Sequence, residues 1–239
     1  MKPNPVAGKP AQDVLVSVVM PVYNEPRTIH EIVRRIEESP VRKEIIAVDD
    51  CSTDGTGAVL EEMARAGRIR LFRHRVNQGK GAAVRTGLKQ VRGDIVIIQD
   101  ADLEYDPAEY PQLIAPILKG RSKVVYGSRF LGEHKAMYFS HMLFNKSLNL
   151  LANVLFDTTL TDMETCYKVF TVDIARRLHI RSNRWGIDPE ITAKILRTGN
   201  RVYEVPISYT GREHWEGKKI SWRDGLSVIS ALIRYRFVD

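Results

Sequence analysis

The sequence predicts an α/β fold: a mostly parallel sheet between two layers of helices. Three observations carry that expectation. Apolar stretches rich in β-branched residues recur at 14–21, 44–48 and 95–98, with a shorter one at 69–72; stretches of that length suit strands buried on both faces. The segments between them place apolar residues at helical spacing, so the order runs strand, helix, strand, helix, strand, helix, strand. That order is the pattern of a parallel sheet with helices on its faces. Each strand-to-helix junction is polar, as expected where strand ends line a ligand crevice.

Residues 1–13 are polar and Pro-rich, without the apolar core of a secretion signal, and read as a disordered lead-in. The strand at 14–21 runs into Val22-Tyr23-Asn24-Glu25-Pro26. Pro26 suits the first turn of a helix, whose apolar face is Ile29, Ile32, Val33 and Ile36. The strand at 44–48 ends in Asp49-Asp50-Cys51-Ser52-Thr53-Asp54-Gly55-Thr56. Thr53 or Asp54 can cap the next helix, which carries Val59, Leu60 and Met63 and stops at Gly67. After 69–72, the glycine-rich loop Asn77-Gln78-Gly79-Lys80-Gly81 opens a helix with Ala83, Val84, Leu88 and Val91.

The strand at 95–98 delivers Asp100, Asp102, Glu104 and Asp106 before Pro107. Carboxylates one residue apart on an extended chain point to similar sides. Both can therefore reach one hard cation that also holds phosphate oxygens. Further strands follow at 123–127, 168–172 and 203–207, and a helix runs from Asp188 through Ile195. Two segments, 137–156 and 222–237, have amphipathic helical patterns, the second of them basic. Either packs on a core or faces lipid. The expectation is one domain over 14–239, with 211–239 as a basic loop and a membrane-facing helix.

The net charge is +7 over 239 residues, which suits an anionic partner. Cys51 and Cys166 form no C-x-x-C pair, and His74, His134, His141 and His179 lack metal-ligand spacing. The G-x-x-x-x-G-K-[ST] and G-x-G-x-x-G patterns are absent, which argues against a P-loop NTPase and an NAD enzyme. No nucleic-acid-binding signature is present. A nucleotidyltransferase would carry glycines just after the first strand, where P-V-Y-N-E stands instead.

Together P-V-Y-N-E, V-D-D-C-S-T-D-G-T, N-Q-G-K-G-A-A and Q-D-A-D-L-E resemble the inverting family 2 glycosyltransferases of the GT-A fold. G-S-R at 127–129, T-D-M-E-T-C-Y-K-V-F at 161–170 and the late G-R…E-G-K-K resemble the dolichol- and polyprenol-phosphate hexosyltransferases among them. The resemblance covers 14–237. It implies that Pro21, Tyr23, Glu25 and Asp50 hold the nucleoside, with Asp50 on the base. It implies a Mg2+ or Mn2+ site at Asp100, Asp102 and Glu104, the last position often being Gln in the family. Arg129 and Arg212 match basic residues near the donor and acceptor phosphates; Lys80 is a weaker phosphate candidate. The implied donor is GDP-mannose or UDP-glucose. The implied acceptor is a polyprenyl phosphate, reached from the cytoplasmic face of a membrane by peripheral contact.

The acceptor decides whether a base is needed. A sugar hydroxyl must lose a proton to a positioned carboxylate. A phosphate monoester has a second pKa near ~6 and is already anionic at neutral pH; it needs cations instead. Arg129, Arg212, Lys218 and Lys219 are the candidate cations. Asp162 and Glu164 then either act as a base, which suits a soluble hydroxyl acceptor, or orient that cluster.

Overall fold

The computed structural model of the protein describes residues 4–135, 138–211 and 222–238, with the backbone alone for 222–227. The first half alternates as the periodicity predicts. The elements are β1 (Val16–Val22), α1 (Ile29–Glu38), β2 (Lys43–Asp49), α2 (Thr56–Arg65), β3 (Arg70–Arg73), α3 (Lys80–Leu88) and β4 (Ile95–Ile98). The second half contains α4 (Tyr110–Leu118), β5 (Val124–Ser128), α5 (Phe139–Phe156), β6 (Lys168–Thr171), α6 (Val172–Ala175), α7 (Ile187–Arg197), β7 (Val202–Pro206) and α8 (Trp222–Phe237).

These strands form one seven-stranded sheet in the order β3-β2-β1-β4-β6-β5-β7. Neighbours are parallel except at β6, which runs antiparallel to both β4 and β5. The reversal has a consequence for the site. It brings the segment preceding β6, with Asp162, Glu164 and Cys166, to the edge where β4 and β5 end. Cys166 N–H donates to Tyr105 Oη at 3.1 Å, and Gly127 N–H donates to the Tyr167 carbonyl at 2.9 Å. The main core joins both faces of the sheet: Val18, Ile46, Ile97, Val125 and Phe170 are fully buried. α5 and α8 build a small separate cluster with Leu148, Ala152, Met163, Val228 and Leu232.

Several expectations need correction. The segment up to residue 13 is not a disordered lead-in from Asn4 onward. Val6 is buried, Asn4 Nδ2 donates to the Ile117 carbonyl at 2.8 Å, and Gly8 N–H donates to that of Leu118 at 2.9 Å. Pro26 lies in a turn ahead of α1, whose N-cap is Thr28. At α2 the N-cap is Gly55 with φ 95°, a left-handed backbone that favours glycine. Asp54 contributes there by accepting from Thr56 N–H at 3.1 Å. Helix α4 went unpredicted, because Pro107, Pro111 and Pro116 mask its pattern. Its Leu113, Ile114 and Ile117 are nonetheless buried.

Candidate active site

The C-terminal ends of β1, β2 and β4 meet at one polar edge. β4 is buried along its length, and the next residue, Gln99, is pinned. Its Oε1 accepts from Tyr110 Oη at 2.8 Å and Tyr167 Oη at 2.9 Å. Two fixed phenols thus set the direction in which Asp100 and Asp102 leave the strand. Lys80, at the start of α3, places Nζ 2.8 Å from the Asp100 carboxylate. Burial opposes the Lys80 charge, but Asp100 outweighs it and holds the ammonium ionised well above its usual range. Asp102 is nearly buried, and its Oδ1 accepts from Glu104 N–H at 3.1 Å.

Glu104 is engaged within the protein. Its carboxylate accepts from Tyr209 Oη at 3.1 Å, and its carbonyl accepts from Thr210 N–H at 3.1 Å. It therefore ties the acidic loop to the end of β7. Among the described residues, no group of three or more His, Cys, Asp or Glu side chains is arranged to hold a metal ion. Two strand-end carboxylates do fit Mg2+ or Mn2+ of the kind that takes most of its remaining ligands from substrate phosphates and water. They do not form an all-protein cage.

On the nucleoside side, the β1–α1 and β2–α2 loops are stapled together. Asn24 N–H donates to Ser52 Oγ at 3.1 Å, and Glu25 N–H donates to Thr56 Oγ1 at 3.0 Å. Pro21 lies near the end of β1, with Tyr23 and Glu25 partly exposed beyond it. Asp50 is buried, with more partners than a base-reading carboxylate requires. Gln78 N–H and Gly79 N–H donate to it at 2.9 and 2.6 Å, and His74 Nδ1 lies 2.6 Å away. His74 Nε2 is 2.9 Å from Thr86 Oγ1. Nothing in the spacing of His74 singles it out in the sequence.

The glycine-rich loop is shaped by a neighbouring backbone. A Cβ at Gly79 would meet the Asn183 carbonyl oxygen at 2.4 Å, and one at Gly81 would meet that of Ser182 at 2.2 Å. Ala82 N–H donates to the Asn183 carbonyl at 3.1 Å. The first turn of α3 is thus partly covered by the 182–184 segment. Beside it lies a polar cavity of about 610 Å³, lined by Asn77, Gln78, Asn183, Arg184, Arg234 and Tyr235 among others.

The third cluster lies where β5, β6 and β7 meet. Arg129 and Asp162 form a buried two-pronged pair, Nε to Oδ2 and Nη2 to Oδ1, each 2.8 Å; Arg129 N–H adds a bond of 2.9 Å to Oδ2. The guanidinium lies 5.1 Å over the Tyr209 ring. Burial disfavours the Arg129 charge, but Asp162 more than compensates and holds the guanidinium ionised. Glu204 of β7 fixes the Asp162 turn by accepting from Thr161 N–H at 3.0 Å and Asp162 N–H at 3.2 Å. Asn149 of α5 holds the next residue, accepting from Met163 N–H at 2.7 Å. A second buried pair, Lys168 to Asp188 at 2.6 Å, lies close by. The other predicted cations, Arg212, Lys218 and Lys219, lie outside the described residues. Glu204 and Asp188 were not predicted as site residues: Glu204 is a lone acid in an apolar strand, and Asp188 reads as a first-turn helix acid.

The mostly parallel seven-stranded sheet flanked by helices, with carboxylates at its strand ends, is GT-A-like. Residues 17–178 match the family described as Glycosyl transferase family 2, and the chain belongs to that family. It is 26% identical to an undecaprenyl-phosphate mannosyltransferase of Micrococcus luteus, over 90% of this chain and 91% of that protein. It is 28% identical to a polyprenol monophosphomannose synthase of Mycolicibacterium smegmatis, over 88% of this chain and 82% of the relative. A dolichyl-phosphate beta-glucosyltransferase of Trichomonas vaginalis is also 28% identical, over 92% and 72%. The fold matches glucosyl-3-phosphoglycerate synthase from Mycobacterium tuberculosis, solved with Mn2+, UDP and glucosyl-3-phosphoglycerate. There the TM-score is 0.72 at 21% identity, covering 95% of this chain and 81% of that one.

Proposed function

We propose that the protein is an inverting hexosyltransferase that moves mannose or glucose from a nucleotide sugar to a polyprenyl phosphate. One observation carries this reading beyond the family: the Arg129–Asp162 pair is joined to the acidic edge through Tyr209. The Tyr209 ring underlies Arg129, and its hydroxyl bonds Glu104. A cation is thereby fixed beside the carboxylates, which is what bringing two anionic phosphates together requires. The relatives named for polyprenyl or dolichyl phosphate, aligned over most of the chain, support the same acceptor.

In this mechanism an acceptor phosphate oxygen attacks the anomeric carbon opposite the nucleoside diphosphate. The anomeric C–O bond breaks, the configuration inverts, and charge collects on the leaving diphosphate. Lys80, held ionised beside Asp100, faces that charge, and the Asp50 loop fixes the nucleoside. A Mg2+ or Mn2+ ion held by Asp100 and Asp102 would supply Lewis acidity to the diphosphate. The acceptor phosphate needs no base, and Asp162, committed to Arg129, serves to orient it. A hydroxyl acceptor would need a base; Asp188 is paired with Lys168 and Glu204 holds the Asp162 turn, so the candidate in this cluster is Glu164.

The acceptor is a lipid, so the crevice must reach a bilayer. None of the described helices is long and apolar enough to cross a membrane. On α5, Phe139, Leu143, Leu150 and Val154 are exposed and fall at i, i+4, i+11 and i+15, one stripe of the helix. Exposed Lys146 lies on the same side, long enough to reach lipid phosphates. The exposed end of α8 adds Ile233, Phe237 and Arg234. This surface suits peripheral docking on the cytoplasmic leaflet.

The deciding experiment offers GDP-mannose and UDP-glucose, with Mg2+ or Mn2+, to a short polyprenyl phosphate and separately to soluble hydroxyl acceptors. Transfer to the lipid phosphate with anomeric inversion is expected. Transfer only to hydroxyl acceptors would overturn the proposal.

A further inference from the structure

Glu164 is the odd charge in its cluster. The groups that act on it are Asp188 on α7, Lys168 on β6, Arg129 after β5 and Asp162 on its own loop; Tyr126 of β5 also feels it. Four of the five charged groups are already matched. Arg129 is bonded twice by Asp162, and Lys168 is 2.6 Å from Asp188 and lies 5.0 Å over the Tyr126 ring. The Lys168 ammonium donates its other bonds to the carbonyls of Met163 and Thr165, on either side of Glu164. Among the described residues Glu164 is left without a cation of its own, and its buried Oε1 has no hydrogen-bond partner. The residue as a whole is partly buried, but charge on that buried oxygen would go unmatched, which favours the protonated form.

We propose that Glu164 is a positioning residue that works as a neutral acid: protonated, it leaves Arg129 positive toward the acceptor phosphate, and its ionisation offsets that charge. Burial, with Asp188 adding to it, pushes its carboxyl up from 4.5 to about 8, so the change falls just above neutral pH. The inference rests on the phosphate-acceptor reading for its effect on transfer, but not for the protonation itself. The acceptor phosphate completes its own second ionisation near ~6, so the window from pH 7 to 9 reports on the protein.

Two kinds of measurement test it. Infrared difference spectroscopy of the whole wild-type protein should show a buried carboxylic-acid carbonyl band that disappears near pH 8 and is missing in Glu164→Gln. Stability should agree. The unfolded chain ionises this residue near 4.5 and the folded protein near 8. The contribution is therefore intact below 4.5 and is lost progressively as pH rises to about 8. The melting temperature of Glu164→Gln should gain on wild type across that range and then hold its lead.

For function, the wild-type KM for a short polyprenyl phosphate should rise on the order of tenfold from pH 7 to 9, one pKa unit's equivalent. In Glu164→Gln, which mimics the neutral acid, it should stay flat, with kcat at pH 7 close to wild type. Absence of the acid band at pH 7 overturns the proposal, as does a KM rise that persists unchanged in the variant. So does a kcat that collapses in Glu164→Gln at every pH with KM unchanged, which would make Glu164 a base. If wild type fails to use polyprenyl phosphate at all, the acceptor assignment fails instead, and the infrared and melting data still decide the protonation.

Discussion

The donor half and the acceptor half of this protein hold their charges differently. From β1 to β4 the strands are parallel, and the carboxylates at their ends combine backbone N–H donors with side-chain pairs, Arg73 on Asp49 at 3.1 Å and Lys80 on Asp100 at 2.8 Å. Asp50 takes two backbone N–H bonds, and Asp49 takes one from Ser52 at 2.9 Å. From β5 to β7 the sheet contains a reversed strand, and the site is built from buried side-chain ion pairs. A loop held by backbone donors tolerates loss of one carboxylate. A buried ion pair does not, because the surviving charge stays behind in a medium that solvates it poorly. Chemistry and stability should therefore separate in the first half and coincide in the second.

The largest effect is expected at Asp102. Asp102→Asn keeps the acceptor for Glu104 N–H but removes the charge that would hold the metal. Activity should fall about a hundredfold to a thousandfold, the scale of one lost transition-state contact of about 3–4 kcal/mol. The melting temperature should move little. Excess EDTA on wild type should reproduce the loss. An active Asp102→Asn would sink the metal assignment and erase the contrast between the halves.

Asp162→Ala is the counterpart. Uncovering Arg129 should cost about 3–5 kcal/mol, roughly 6–20 °C in melting temperature for a chain of this size, together with most activity. The double variant Arg129→Met/Asp162→Leu sharpens the point. Replacing a buried pair by apolar residues of similar volume is often neutral for stability. Its melting temperature should return toward wild type while activity stays lost. Activity that returned with stability would show that Arg129 serves packing alone.

What could be read in the sequence follows the same division. The donor half was legible because each strand is an apolar run and each loop a recognisable polar string. β4 was placed at its observed bounds, and the motifs at 21–25, 49–56 and 100–104 do reach one edge. The acceptor half was less legible. Strand direction leaves no periodic trace, so the reversal of β6 that brings Glu164 to the site was invisible. The helix at 110–118 was hidden by Pro107 ahead of it, by Pro111 in its first turn, where proline is tolerated, and by Pro116 inside it. The bond from Tyr209 to Glu104 was invisible too, because the two lie more than a hundred residues apart and no local pattern signals the contact. The packed N-terminus rests on Asn4 and Val6, too few residues to form a pattern.

A smaller effect is expected in the glycine loop, where the donor half depends on shape. In Gly81→Ala the new methyl meets the Ser182 carbonyl oxygen at 2.2 Å, so one backbone must shift. Overpacking of this kind costs about 1–3 kcal/mol. The loop that holds Asp50 should move with it, raising the KM for the nucleotide sugar several-fold more than it lowers kcat. Nucleotide titration by calorimetry would check this. Unchanged affinity would mean that the 182–184 segment yields without disturbing Asp50.

The smallest effect on the folded protein, and the most selective, should come from α5. Leu150 and Val154 are exposed to 65% and 73%, so Leu150→Glu/Val154→Glu removes no core contact and should melt like wild type. The partly buried side of the same helix, with Asn149 fixing the Asp162 loop, is untouched. Donor hydrolysis and transfer to a short, water-soluble prenyl phosphate should also be unchanged. On vesicles the outcome should differ. The stripe loses apolar area worth roughly 25 cal/mol per Å², and two acids face an anionic leaflet that rewards each basic residue by about 1 kcal/mol. Wild type should co-sediment with anionic vesicles at low salt and leave them at high salt, since screening acts within about 10 Å at 0.1 M. The variant should sediment poorly under both conditions. Arg236 is unsuitable for the same test, because its Nε donates to the Leu155 carbonyl at 2.7 Å and ties α8 to α5; Arg234 is the cleaner charge to reverse. Equal sedimentation of wild type and the α5 variant would mean that the bilayer is met elsewhere, and that this stripe is not the surface that carries the acceptor half to its lipid.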